Sequence, residues 1–155
     1  MLPTRSFLDR RLWERKYIDL WALVHLLNGV CFGFAVFFFN LPFVPSLIIF
    51  VIAIIFWEVM EFFMHVREPV SNQVIDVLAG ALGFWLTYQF LPLLAGDLLV
   101  QIIYFTLIYI VVWTLAYYGF QSFALHFNRE MEKYNKSFYA AAIIYVSIII
   151  SLFLI

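Results

Sequence analysis

Only one cysteine, three histidines and 12% charged residues occur in this chain, and no lysine or arginine falls inside any of its long apolar runs. The single Cys31 excludes an internal disulfide and gives no reading of redox compartment. The scarcity of charge, set against 66% hydrophobic and 21% aromatic residues, excludes an ordinary soluble domain. No Gly-rich phosphate loop or dinucleotide fingerprint is present. A net charge of −1, with no basic stripe interleaved with aromatics, gives no reason to expect a nucleic-acid partner.

What is present is a set of apolar stretches long enough to cross a bilayer, which takes about 20 residues at roughly 1.5 Å each. Five qualify: 18–39, 46–64, 74–94, 98–120 and 137–154. The cations fall in three clusters outside them: Arg5, Arg10, Arg11, Arg15 and Lys16; then Arg67; then Arg129, Lys133 and Lys136. Cations are retained on the cytoplasmic side. An internal N-terminus therefore puts every one of them inside, with turns at 40–45 and 91–97 outside and an external C-terminus. Pro42, Pro45 and Pro92 are expected in those external turns, where a missing amide donor costs little.

The first apolar run is too long for a signal-peptide core and no small-residue cleavage site follows it, so the N-terminus is expected to be retained. The predicted fold is an all-α, polytopic helix bundle in the cell membrane, the inner membrane if the source is bacterial. Residues 1–17 form a basic cytoplasmic segment, suited to lying on an anionic leaflet or simply to setting orientation. Residues 18–155 form the five-helix transmembrane domain.

Polar groups in lipid are costly and face the protein interior or a wet cavity. Here they concentrate in the cytoplasmic halves of the first three segments. Glu58, Glu61 and His65, at i, i+3 and i+7, share one helix face within about 60°. Glu58 lies deepest of the three, and an ionised carboxylate there needs a cation, a metal or several donors to hold its charge. The third segment opens with Asn72 and Asp76, followed by Gly80 and Gly83, which allow close approach of a neighbouring helix. The first contributes His25 and Asn28, one turn apart, beside Gly29 and Gly33. Arg67 stands at the mouth of the converging set. Plainer roles are open for each group: His25 and Asn28 as interhelical hydrogen bonds, Asp76 as a cap partner of Asn72, and Glu61 with His65 as one i, i+4 pair. His126 and Asp97 are expected to be solvated.

Three chemistries fit. Glu58, Glu61, His65 and Asp76, with His25, supply enough ligands for a metal, although no His-Glu-x-x-His or Glu-x-x-His pair occurs. A buried Glu beside a second Glu and a His suits acid–base work, with Glu58, Glu61, Asp76 and His25 as catalytic candidates. A lipid-headgroup or polyprenyl-phosphate site would use Asn28, His65, Arg67 and Asn72 as binding groups, with Arg67 available to phosphate.

Trp57-Glu58-x-x-Glu61, then Arg67, Ser71, Asn72, Asp76 and Gly83, with His25 preceded by Asp19, resembles the VanZ-like group of small membrane proteins over residues 19–88. The chain departs from that pattern at Gly80, where the group usually has Asn, and at Glu61 or a neighbour of it, where Gln is usual. The resemblance implies an all-α inner-membrane protein of the cell envelope, without an established reaction, and singles out His25, Glu58, Arg67 and Asp76 as site members. The expected function is binding or modification of a lipid-linked or amphiphilic ligand in a polar pocket among the first three segments. The alternatives are a non-enzymatic accessory or scaffold subunit and a metal-binding membrane enzyme. Membrane lipid is the expected partner, and the last two segments suit contact with a second copy or a partner membrane protein.

Overall fold

The structure, a computed structural model, describes residues 10–13, 18–63, 69–94, 96, 98–126, 136, 139, 140 and 143. Its elements are a single helical turn, α1 (Arg10–Trp13), and four long helices: α2 (Leu20–Phe38), α3 (Phe43–Phe63), α4 (Val70–Leu94) and α5 (Leu98–His126). No strand occurs among the described residues. The four long helices each have the length and composition to cross a membrane, so the chain reads as a multi-pass membrane protein. The expected fifth span, 137–154, and most of the basic segment 1–17 lie outside the described residues.

Local chemistry sets the helix ends. Asp19 caps α2: its Oδ1 accepts from the amides of Trp21 at 2.8 Å and Ala22 at 3.2 Å, two donors with no partner inside the helix. At the other end Asn40 takes φ 53°, a left-handed conformation that Asn tolerates better than most residues. There the amide of Leu41 donates to Val36 O at 2.9 Å and that of Asn40 to Phe37 O at 3.1 Å. This is the paired closure of a Schellman turn. Pro42 follows in the turn as expected, whereas Pro45 and Pro92 lie inside helices. Pro45 falls in the first turn of α3, where amides have no helical acceptor, and Pro92 in the last turn of α4, where it forgoes the one bond its own amide would make to the carbonyl four residues back. At 29 residues α5 is about 43 Å long, which exceeds the hydrocarbon thickness and requires tilt or projection beyond it.

The helix α2 is central and packs most extensively on α4, then on α5 and α3. Glycines make the α2–α4 contact possible. A Cβ on Gly29 would overlap the carbonyl of Gly80, and one on Gly83 would overlap the carbonyl of Leu26, so the two backbones touch where side chains would normally stand. One apolar layer, Phe32, Val36, Phe50, Ile54 and Phe84, closes the α2–α3–α4 interface, with Phe50 and Phe84 rings stacked at 5.6 Å. A second joins Trp13 and Trp21 to Trp57, Ala116 and Phe120 across α1, α2, α3 and α5.

The outward surface inverts the soluble pattern. On α3 the exposed positions Val44, Ile48, Ile52, Ile55, Val59 and Phe62 recur every three or four residues, and on α4 so do Val70, Val74, Leu78, Leu82 and Trp85. These apolar stripes face away from the core, as lipid-facing helices require, while the carboxylates point inward.

Candidate functional site

His25 stands five residues into α2, Glu58 five residues before the end of α3, and Asp76 six residues into α4. At about 1.5 Å per residue these positions lie within roughly 2 Å of one another in depth, about 7–9 Å from the helix ends. Three helices thus each deliver one ionisable side chain to a single layer. All three are buried, at 3%, 7% and 1% exposure, and their nitrogen and carboxylate oxygen atoms lie within 4.8 Å of one another. His25 Nε2 is 3.2 Å from Glu58 Oε1, yet the pair is not aligned as a hydrogen bond. His25 Nδ1 has no hydrogen-bond partner among the described residues.

A polar scaffold holds one edge of the layer. The side-chain amide of Asn72, itself fully buried, donates to Asp76 Oδ2 at 3.3 Å and to Asp19 Oδ2 at 3.2 Å. Asp19 therefore does two jobs, capping α2 with one oxygen and tying the start of α2 to the start of α4 with the other. Glu61, 3% exposed, is engaged differently: its Oε1 accepts from Trp57 Nε1 at 2.8 Å, one turn back on α3.

Two openings flank the layer. On one side a cavity of about 40 Å³ is lined by Trp21, His25, Asn28, Trp57, Trp113 and Ala116. On the other a groove of about 530 Å³ runs between α3 and α4, walled by Ile55, Val59, Phe62, Val70, Val74 and Leu78, with Glu58 and Gln73 as its polar members. Glu58 belongs to both the groove wall and the contact with His25.

Of the residues selected from sequence, the structure brings together His25, Glu58, Asp76 and Asn72, and places Asn28 on the wall of the smaller cavity. Glu61 faces Trp57 instead of joining the three-residue cluster. His65 and Arg67 lie outside the described residues. Asp19, Trp57 and Gln73 were not among the selected residues. An Asp immediately before an apolar run is a helix-start signal, and that was the available clue to Asp19. Comparison with protein-family models, with curated proteins and with solved structures found no match for this chain.

Chemically the layer holds one imidazole and two carboxylates. Such a set can exchange a proton between neighbours, or offer nitrogen and oxygen donors to a cation.

Proposed function

We propose that this chain is a membrane protein that binds, and has the groups to modify, an amphiphilic, lipid-linked ligand. The ligand's apolar chain lies in the α3–α4 groove and its polar head reaches the His25–Glu58–Asp76 layer. The observation that carries this reading is the shared position of Glu58, one carboxylate that both lines an apolar groove and touches a buried imidazole. A groove whose walls are apolar except for Glu58 and Gln73 suits a molecule with a hydrocarbon tail and one polar end. On the distribution of cations in the sequence, the proposal sets the layer in the cytoplasmic half of the bilayer, with a fifth span over 137–154 and an external C-terminus. A role in the cell envelope, which the resemblance of residues 19–88 to the VanZ-like group implies, is part of this proposal.

Lipid extraction and mass spectrometry of the purified chain test the proposal, with an added polyprenyl phosphate as the uptake probe. Val59→Trp and Val74→Trp fill the groove from opposite walls and are expected to abolish lipid carry-over and uptake. Glu58→Gln and Asp76→Asn are expected to lose uptake while remaining monodisperse in detergent. Uptake unchanged by the tryptophan variants would refute the groove. Collapse of both carboxamide variants into aggregates would favour a scaffold role for the polar residues.

A further inference from the structure

We propose that His25, Glu58 and Asp76 bind one divalent first-row metal ion, of the Zn²⁺ or Mn²⁺ kind, at the point where α2, α3 and α4 converge. The inference goes beyond ligand binding in the groove and stands without it.

The geometry argues first. Metal–nitrogen and metal–oxygen bonds of about 2.0–2.2 Å place neighbouring ligand atoms of one ion roughly 3.0–3.4 Å apart. His25 Nε2 and Glu58 Oε1 are separated by 3.2 Å, an ion-pair contact that also falls inside this ligand–ligand range. The third residue, Asp76, has a carboxylate oxygen within 4.8 Å of both. His25 is an imidazole 3% exposed whose nitrogens have no aligned hydrogen bond among the described residues, and one of them lies within 4.8 Å of an oxygen of each carboxylate.

The surroundings argue second. Metal-bound carboxylates are generally oriented by a further hydrogen bond, and Asn72 Nδ2 supplies one to Asp76 Oδ2 at 3.3 Å. Asp19 fixes the same amide from its other side at 3.2 Å. The cavity bordering His25, about 40 Å³ with Asn28 on its wall, has room for a water to accept from the second imidazole nitrogen.

Donor chemistry selects the ion. One imidazole and two carboxylates suit zinc, manganese or iron(II) and disfavour copper(I), which seeks sulfur. The one thiol, Cys31, is committed to the apolar cluster with Trp21 and Ala53. Two carboxylates also match a divalent cation in charge, so the loaded cluster is neutral at a depth where net charge is costly. Three protein ligands leave a coordination position open, and Glu58 brings that position to the edge of the α3–α4 groove.

The test uses the full-length, untagged chain in detergent, stripped with a chelator, incubated with Zn²⁺ or Mn²⁺ alone, freed of excess ion by gel filtration and counted by plasma mass spectrometry. The expected result is one ion per chain for one of the two metals. His25→Ala, Glu58→Gln and Asp76→Asn should each weaken binding by about a hundredfold or more, and Asn72→Ala by about 10–100-fold through the outer shell. Co²⁺ provides a second readout on the unaltered chain: its visible d–d bands report nitrogen and oxygen ligands and should be displaced by the bound metal. A stripped wild-type chain that takes up neither ion and gives no Co²⁺ spectrum overturns the proposal. So does stoichiometric uptake that survives in folded Glu58 and Asp76 variants.

Discussion

Replacing Gly29 by alanine tests the packing that brings the site together. An added Cβ would overlap the carbonyl of Gly80 and sit 2.8 Å from Phe84 N and 2.9 Å from Gly80 C, all backbone atoms of α4. Ordinary contact begins near 3.4 Å and the carbonyl of Gly80 lies well inside that, so α2 and α4 must separate by about 1 Å or more, because helix backbone cannot rotate out of the way as a side chain can. Overpacking of this kind costs about 1–3 kcal/mol, while exchanging a helix-interior glycine for alanine returns up to about 1 kcal/mol. With three backbone atoms crowded the cost falls at the upper end, so the net expectation is a loss of about 2 kcal/mol, or a fall in Tm of roughly 4–8 °C for a chain of this size. Gly80→Ala is the internal control. Its Cβ would overlap only Ile54 Cδ1, the far end of a flexible side chain, with the next contacts at 3.4 and 3.6 Å, so that variant should be neutral within about 1 kcal/mol. The displacement in Gly29→Ala also exceeds the roughly 0.2 Å tolerance of a coordination bond, so it should weaken metal uptake where Gly80→Ala does not. Thermal denaturation in detergent, followed by light scattering and tryptophan fluorescence, compares the two. If Gly29→Ala is as stable as Gly80→Ala, the backbone contact between α2 and α4 is not as described.

Two further substitutions separate structural from functional carboxylates. Asp19→Ala removes both the cap of α2 and the acceptor for Asn72, and should cost about 1–3 kcal/mol; Asp19→Ser, which restores capping but not the reach to Asn72, should recover about 1 kcal/mol of this in the same melt. Trp57→Phe deletes the Nε1 donor to Glu61 and should lower stability by about 1–2 kcal/mol while leaving metal stoichiometry at the wild-type value, since Glu61 lies outside the three-residue cluster.

Much of the bundle was legible in the apolar runs, because a spanning helix announces itself by length and by the absence of cations. The depth of Glu58 was legible too, by counting residues, as was the small-residue surface at Gly29, Gly33, Gly80 and Gly83. That these two glycine pairs would meet each other was not. Chain proximity favours α3 as the main neighbour of α2, and only the fit of carbonyls into glycine notches makes α4 the closer partner. Glu61 was grouped with Glu58 because three residues along a helix leave them about 60° apart, and that angle is enough to turn its carboxylate to Trp57. Residue type puts Pro92 in a turn, whereas α4 runs two residues past it, at the loss of the one bond its own amide would make.

The apolar layer of Phe32, Val36, Phe50, Ile54 and Phe84 has one more consequence. Among these, Val36, Phe50, Ile54 and Phe84 are wholly shielded, and beyond them α2, α3 and α4 carry no carboxylate or imidazole. Within these three helices hydrocarbon closes the ionisable layer on that side, so water or an ion beside Glu58 meets no further titratable group along this interface.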